Sequence, residues 1–249
     1  MPDKFNSLDI LGVRVDNVDW NDILDFCLRA FYTSSQKQIS TINGEFILEA
    51  RHNKYFQEIL NSSDLNICDS TNVSIASSWL NNELKAITPG SDLVVKLSEL
   101  AQKENKSVFL LGSKDNIAAL ASDKLKELFP KLNIAGTSNL NPTDEEAITI
   151  IKQAKPDILF VAYGAPKQEI WIFENKPRLP AKILVGVGGS FEMLAGVKKR
   201  APMWLRTTHL EWLWRLIIEP KRIGRILNAT IVFPFLVIVS IFTPKKKKH

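Results

Sequence analysis

The amino-acid sequence predicts an α/β fold with a mostly parallel sheet and helices on both of its faces. Three observations predict it. Short β-rich runs alternate with helical patterns, no repeat of about 20 to 50 residues is visible, and 249 residues allow one large domain or one domain with an appendage. Strands that are separated by crossover helices pair in parallel, and the helices then cover both faces of the sheet.

The elements follow in order along the chain. The β-rich runs predict six strands, at residues 38–42, 65–68, 107–111, 132–135, 158–163 and 183–187. The helical patterns predict six helices, at residues 44–61, 70–84, 91–103, 116–128, 142–153 and 166–174. A further helix is predicted at residues 209–218; Pro220 interrupts it, and residues 221–227 could resume it.

Charge is distributed unevenly between the body and the C-terminal segment. Residues 197–249 hold twelve Lys and Arg against two acids, a net charge of +10, so the other residues carry −5 within the total of +5. The same segment contains three of the six Trp, and the composition changes near residues 198–202. We therefore predict a globular domain at residues 1–197 and a basic, Trp-rich and apolar appendage at residues 198–249.

The appendage favours a membrane surface as partner over nucleic acid. Cations, indoles and the apolar run at residues 226–242 suit an anionic bilayer, whereas only the positive charge would contribute to binding nucleic acid. The run is at the short limit for crossing a bilayer, Pro234 lies in its middle, and positive charge flanks both ends. We expect an in-plane or re-entrant anchor at the cytoplasmic face of the membrane rather than a spanning helix.

Several classes of protein and site are disfavoured. The two cysteines have no metal or disulfide spacing, which indicates a reducing cytoplasm, and the polar N-terminus lacks the apolar core of a secretory signal. The three His are scattered and no Asp-x-Asp pair occurs, so we expect neither a metal nor a cofactor. An NAD-linked oxidoreductase is disfavoured because Phe191 stands at the third glycine of the loop at residues 186–191.

Polar side chains follow the predicted strands at their carboxyl ends, where parallel sheets bind ligands. Asp69, after the second strand, is placed as a general base, or else it caps the helix that begins at Ser70 or Thr71. Thr41 and Asn43, at the end of the first strand, could bind sugar hydroxyls, or else Asn43 caps the next helix. Spacing alone favours the capping alternative at both places.

Glycine-containing loops end three later strands at the same edge. The loop at residues 164–166 opens a helix, so its backbone N–H groups could meet an anion, or else it is an ordinary turn. The loop at Gly188 and Gly189 is a candidate phosphate or ribose loop, and Gly112 follows another strand.

Three arginines of the appendage are candidates for a phosphate-binding group. Arg215, Arg222 and Arg225 share one helical face if the helix is continuous. Guanidinium groups bind phosphate bidentately and need no metal. The other interpretation is a basic face against lipid headgroups, and the two do not exclude each other.

Together these segments resemble the WecG/TagA/CpsF glycosyltransferase family, glycosyltransferase family 26. The resemblance runs from residue 11 to about residue 225, with several long motifs in the family's order. The most specific are residues 156–169 (PDILFVAYGAPKQE), 186–191 (GVGGSF), 199–202 (KRAP), 210–215 (LEWLWR) and 219–222 (EPKR).

The resemblance implies a Rossmann-like fold whose C-terminal appendage binds the membrane. It also implies the inverting, metal-free transfer of a sugar from a UDP-sugar to a polyprenyl-diphosphate-linked acceptor, typically undecaprenyl-diphosphate-GlcNAc, in cell-surface polysaccharide or teichoic acid synthesis. N-acetylmannosamine, its uronic acid, glucose and galactose all stay open as the sugar, and a homo-oligomer stays open as the assembly.

The resemblance also implies roles for single residues. Asp69 matches the proposed base, and Thr41 and Asn43 match the acceptor-side polar pair. We expect the UDP-sugar to be bound by Gly112, Gly164, Pro166, Gln168, Glu169, Gly188, Gly189, Phe191 and Glu192, and the diphosphate by Arg215, Arg222 and Arg225.

Two departures from the family pattern motivate a second hypothesis. The family commonly has Pro-Asp-Gly where this chain has residues 68–70 (CDS), and it has an Arg shortly before Gly90, where this chain has residues 86–89 (AITP). Glu192 also stands where Asp is usual. The alternative is a catalytically impaired, membrane-bound protein that binds a sugar nucleotide or a polyprenyl phosphate.

Overall fold

A six-stranded sheet forms the centre of the protein. The computed structural model describes residues 5–199, 201–202, 205, 211–218 and 223–243. The strands lie in the order β4-β3-β8-β7-β5-β6, and every neighbouring pair is parallel. Their bounds are β3 Lys37–Ile42, β4 Leu65–Cys68, β5 Ser107–Gly112, β6 Asn133–Ser138, β7 Ile158–Ala162 and β8 Ile183–Gly186. The predicted α/β fold and its six strands are confirmed.

Helices connect the strands and cover both faces of the sheet. In chain order they are α1 Trp20–Phe31, α2 Gly44–His52, α3 Lys54–Ser62, α4 Thr71–Trp79, α5 Gly90–Lys103, α6 Ile117–Leu128, α7 Glu145–Ala154, α8 Lys167–Asn175 and α9 Ser190–Leu194. Two more follow in the appendage, α10 Glu211–Ile218 and α11 Ile223–Phe242. Residues 219–222, which include the predicted break at Pro220, lie outside the described residues.

Five of the six strands are buried on both faces, as is usual in a parallel sheet, whereas the edge strand β6 is only partly buried. Along β7, Ile158 and Phe160 pack into one apolar cluster with α1, α5 and α6, while Leu159 and Val161 pack into another with α7 and α8. Strand β5 alternates in the same way. The polar side chains that reach the cavity lie at the ends of the strands.

The sequence patterns missed the first two strands and the first helix. β1 Ser7–Ile10 and β2 Val13–Asp16 form an antiparallel hairpin through Leu11 and Gly12, which both have positive φ. A two-residue turn of this kind is usually signalled by Asn-Gly or Asp-Gly, and Leu-Gly gives no such signal. For α1 a signal was present, because Asp19 caps it and its buried residues recur at helical spacing.

One predicted helix is two helices in the structure. The pattern over residues 44–61 is divided at Asn53, whose side chain accepts a hydrogen bond from Phe56 N at 3.0 Å and so begins α3. Two helical faces of similar apolar spacing therefore follow each other without a Gly or Pro signal between them.

Helix α11 packs along the body with one face and is exposed on the other. Phe233 and Val237 are fully buried in the cluster that also contains β1, β2 and α2. The opposite face exposes Ile223, Leu227, Ile231, Phe235, Ile238 and Phe242.

A π-turn at Asn228–Val232 precedes Pro234, and the helix continues through this proline. By length and composition alone α11 could cross a membrane, with mean hydropathy 2.1. The predicted boundary at residue 198 stays a prediction.

Phe233→Ala should lower the free energy of unfolding by about 3 to 5 kcal/mol, because removal of a fully buried ring leaves a cavity against Gly44. Phe235→Ala is the matched control on the same helix: its ring is 62% exposed, and we expect a change within about 0.5 kcal/mol. Denaturant unfolding in one mild detergent measures both. Equal losses would contradict the packing of α11 on the body.

Candidate active site

A cavity of about 480 Å³ lies at the carboxyl edge of the sheet. The ends of β3, β4, β7 and β8 form its floor and walls, and residues of α10 and α11 complete it. The chain leaves β3 toward one edge of the sheet and reaches β8 from the other side, so β3 and β8 flank a topological switch point. Such switch points are where open α/β sheets bind ligands, and the volume suits a small polar molecule.

Asp69 lies in the cavity wall at the end of β4. Its Oδ1 accepts a hydrogen bond of 2.6 Å from the backbone N of Gly90, the first residue of α5, and its Oδ2 lies 3.4 Å from Asn43 Nδ2. The carboxylate therefore faces the N-terminus of α5, where negative charge is stabilised. The alternative that Asp69 caps its own following helix is wrong, since Ser70 is the N-cap of α4.

Thr41 and Asn43 reach the same cavity from β3. Asn43 Oδ1 accepts a hydrogen bond of 3.1 Å from Phe46 N, so the capping alternative is confirmed for Asn43. The same side chain also turns its amide toward Asp69, so the two interpretations are compatible. Thr41 is buried and its Oγ1 donates to Gly186 O at 3.2 Å, which leaves the hydroxyl oxygen as an acceptor.

The Gly164 and Gly188 loops are joined by one buried side chain. Gly164 N and Gly188 N donate to Gln168 Oε1 at 3.0 and 2.9 Å. Both glycines have positive φ and both line the cavity with Gly189. These two N–H groups are therefore used within the protein, which for Gly164 N favours the turn over anion binding, the two alternatives for the first loop.

Glu169 lies behind the cavity wall rather than in it. Its side chain is fully buried and Oε1 accepts a hydrogen bond of 2.8 Å from Gln168 Nε2. Burial raises the pKa of Glu169 to about 8, against a weaker opposing effect of that hydrogen bond. The carboxyl is thus predominantly neutral at pH 7.

Four other predicted donor-binding residues do not line the cavity. Gly112 packs against the ring of Tyr163, Phe191 is fully buried in the core, and Pro166 is the N-cap of α8. Glu192 lies beneath Gly189, whose Cβ, if present, would be 3.6 Å from Glu192 Oε2. A role of these four in donor binding stays a prediction.

Cations lie at two places around the cavity. Arg225 Nη2 is 2.8 Å from Glu45 Oε2, and both residues line the cavity from α11 and α2. The side chain of Arg215 and the whole of Arg222 are outside the described residues. Lys198 and Lys199, to which the sequence patterns assigned no binding role, also line the cavity.

Lys198 borders the Gly189 loop, and Lys199 contacts α10. A Cβ on Gly189 would lie 3.9 Å from Lys198 Nζ, and Trp214 Nε1 donates to Lys199 O at 3.1 Å, which fastens α10 beside the cavity. Their sequence signals were their position at the composition change and, for Lys199, the KRAP motif at residues 199–202. The sequence does not show that the chain folds back so that Lys198 lies beside Gly189.

Three further features bear on the chemistry of the site. In the described part of the chain no group of three or more His, Cys, Asp or Glu could hold a metal ion. Burial raises the pKa of the Cys68 thiol to about 12, so this neighbour of Asp69 is no thiolate nucleophile. Ile87 lines the cavity near the place where the family pattern has an arginine.

Comparisons with known proteins identify the family of this chain. Residues 8–247 match the Glycosyl transferase WecG/TagA/CpsF family. The chain belongs to this family. It is 34% identical over 227 residues to the N-acetylglucosaminyldiphosphoundecaprenol N-acetyl-beta-D-mannosaminyltransferases of Staphylococcus aureus strains MRSA252 and NCTC 8325 / PS 47, and 33% identical to that of strain MW2. Each comparison covers 90% of this chain and 89% of the relative.

Membership of the WecG/TagA/CpsF family confirms the resemblance that the sequence motifs indicated. The match spans the sheet, α10 and α11, so the appendage is part of what the family shares. This protein is therefore a glycosyltransferase of the family, with Asp69, Asn43 and Thr41 together in one cavity.

Glu169→Gln should remove a pH-dependent loss of stability. The folded state holds the Glu169 proton up to about pH 8, while an unfolded glutamate releases it near pH 4.5. Wild-type stability should therefore fall relative to the variant as pH rises from about 4.5 to about 8, and stay offset above that. Thermal unfolding of both proteins between pH 5 and 9, at about one-unit steps, measures the difference. Parallel curves would mean that Glu169 is ionised when buried.

Proposed function

We propose that this protein is an inverting glycosyltransferase that moves an N-acetylmannosaminyl group from a UDP-sugar to undecaprenyl-diphosphate-linked GlcNAc. The observation that carries the proposal is the Asp69 carboxylate in the cavity wall, held by Gly90 and Asn43. The acceptor and the sugar follow the names of the Staphylococcus aureus relatives, which match most of the chain. A role in teichoic acid or another cell-surface polymer belongs to the same proposal.

Asp69 acts as the general base in this mechanism. Its carboxylate takes the proton of the acceptor hydroxyl while that oxygen attacks the anomeric carbon, and the bond from this carbon to the UDP oxygen breaks. One displacement at an α-linked UDP-sugar gives a β-linked product, which agrees with the β configuration in the relatives' name. A single base and no covalent intermediate are enough.

Cations around the cavity stabilise the diphosphates of both reactants, including the charge that develops on UDP. Lys198 lies beside Gly189, Lys199 also lines the cavity, and Arg225 lines it from α11. Fixed cations that meet charge as it develops lower the barrier without being rearranged during the reaction. We assign the lysines to the donor diphosphate and Arg225 to the acceptor diphosphate, because Arg225 sits on the helix whose other face is apolar. Arg215 and Arg222 stay proposed for the same acceptor diphosphate.

Helix α11 lies in the plane of the membrane in this proposal, at its cytoplasmic face. The buried face is fastened to the body by Phe233, Val237 and the hydrogen bond from Asn72 Nδ2 to Ala229 O at 2.8 Å. A helix held along a globular body cannot also pass through the bilayer core at that point, while its exposed apolar face can enter the headgroup region. The cavity then opens beside the lipid surface that carries the acceptor.

The second candidate function is a catalytically impaired protein that binds a sugar nucleotide or a polyprenyl phosphate. Ile87 in the cavity wall favours it, since an apolar side chain stands near where the family pattern has an arginine. Such a protein would bind UDP and transfer no sugar.

The proposed function is tested by a donor screen on the purified full chain with synthetic polyprenyl-diphosphate-GlcNAc, read by mass spectrometry. UDP-N-acetylmannosamine should give a product that gains one N-acetylhexosamine. Asp69→Asn should lower turnover about 100-fold or more and leave the affinity for UDP nearly unchanged, because the amide cannot take the proton. Asp123→Asn, an exposed carboxylate on α6, is the matched control and should keep full turnover.

Three results would change the assignment. Near-normal turnover of Asp69→Asn would remove this residue as the base. Transfer of a different sugar would change the donor and keep the mechanism. UDP binding without transfer from any UDP-sugar would support the second candidate.

The membrane proposal is tested on the exposed face of α11. The double variant Ile231→Gln and Phe235→Gln should weaken binding to phosphatidylglycerol vesicles about tenfold or more, because each apolar side chain that enters the bilayer contributes roughly 1.5 to 3 kcal/mol. Leu128→Gln, at an exposed leucine on α6, is the control and should bind like the wild type. Vesicle co-sedimentation measures all three proteins. Equal binding would place the membrane contact elsewhere.

A further inference from the structure

Gln168 connects two walls of the cavity through a single oxygen. Its Oε1 accepts hydrogen bonds from Gly164 N on the loop after β7 and from Gly188 N on the loop after β8, at 3.0 and 2.9 Å. An amide oxygen has two lone pairs, so this acceptor is fully used. The two backbone donors are used as well, and none of these three groups can bind a phosphate without breaking the connection.

The amide of Gln168 has only one orientation that fits its neighbours. Oε1 must face the two backbone N–H groups, because a flipped amide would set an NH₂ group against two donors. Nε2 then points away from the loops and donates to Glu169 Oε1 at 2.8 Å. Glu169 Oε1, as the acceptor for Nε2, therefore determines the orientation of the Gln168 amide.

Glu169 lies on α8, where its side chain packs against the end of β8. It is fully buried, and Oε2 has no hydrogen-bond partner among the described residues. Gly186 makes room for the pair: a Cβ there would collide with Glu169 Oε1 and would lie 2.7 Å from Gln168 Nε2. Glu169 does not line the cavity, so it reaches a ligand only through Gln168.

We infer that Gln168 and Glu169 are a positioning pair for the donor site. The Gln168 amide and the Glu169 carboxyl, which hydrogen-bond to each other, do not themselves bind the UDP-sugar. Glu169 orients the Gln168 amide, and Gln168 fixes the distance between the Gly164 and Gly188 loops. Those loops and Gly189 then present a preformed wall to the donor, and Lys198 borders the same wall. The effect on the donor depends on the proposed function, whereas the connection between the loops does not.

The burial of Glu169 supports the pair as an amide and a neutral acid. A neutral carboxyl still offers Oε1 as an acceptor, and it avoids an unpaired charge in the core. Glutamine at position 169 can offer the same acceptor, so Glu169→Gln is the conservative variant. Glu169→Leu removes the acceptor at similar volume.

The experiment compares five full-length proteins: wild type, Gln168→Met, Glu169→Leu, Glu169→Gln and Ile172→Ala. Ile172 is a fully buried residue of α8 and controls for lost stability alone. Hydrogen exchange by mass spectrometry, without ligand, follows the peptides that contain Gly164 and Gly188. Calorimetry with UDP, and the KM for the UDP-sugar in the transfer assay, follow the donor site.

The inference predicts a specific pattern across these variants. Exchange at both loops should rise about tenfold in Gln168→Met and Glu169→Leu, since one hydrogen bond contributes about 1 kcal/mol or more. UDP affinity should fall and the donor KM should rise several-fold in the same two variants, with kcat changed less. Glu169→Gln and Ile172→Ala should match the wild type in both measurements.

Three outcomes overturn the inference, each in a defined way. Unchanged exchange in Glu169→Leu shows that Glu169 does not orient the amide. Faster exchange with unchanged UDP affinity shows that the pair is structural only. Loss of UDP affinity in Gln168→Met but not in Glu169→Leu shows direct contact between Gln168 and the donor. If Gln168→Met fails to fold, the comparison of Glu169→Leu with Glu169→Gln decides. If the wild type transfers no sugar, the proposed function fails, and exchange and UDP binding still decide the role of the pair.

Discussion

Burial of the parallel sheet on both faces is the constraint on which the rest of the structure depends. Neighbouring residues along β5 and β7 pack alternately into the two apolar clusters, so both faces of these strands are occupied by apolar contacts. The carboxyl edge is where the chain leaves each strand: Thr41 lies at the end of β3, and Asp69, Gly164 and Gly188 follow β4, β7 and β8. The position of the site at this edge thus follows from the apolar packing of the sheet.

The exceptions to this apolar core are the polar residues that hold the edge together. Gln168 and Glu169 are as buried as the core leucines, yet their polar atoms connect the ends of β7 and β8. A buried hydrogen-bonded group costs little when it is satisfied and much when it is not. The shape of the cavity therefore depends on the few hydrogen bonds of Gln168. Gly186 leaves room for them because it has no side chain.

Helix α11 connects the site to the apolar surface. One side of the helix completes the cavity with Arg225, Ile226 and Ala229, and buries Phe233 in the body. The other side carries exposed aliphatic and aromatic side chains. A lipid-linked acceptor has a polar diphosphate and an apolar tail, and this helix offers a partner for each within a few turns. Since α11 belongs to the same apolar cluster as β1 and β2, the appendage is also part of the core.

The sequence by itself determined the class of fold, the six strands of the main sheet and the family, because apolar periodicity and ordered motifs are local properties of the chain. It also placed Asp69, Thr41 and Asn43 at strand ends. It missed the hairpin at Leu11 and Gly12, whose turn has no usual signal, and it could not separate capping from chemistry at Asn43, which does both. Only the tertiary structure decided that Asp69 faces α5, that Lys198 borders Gly189, and that Gln168 uses the N–H groups expected for an anion. Those contacts join residues far apart in the chain or depend on the direction of a side chain, and neither follows from spacing along the sequence.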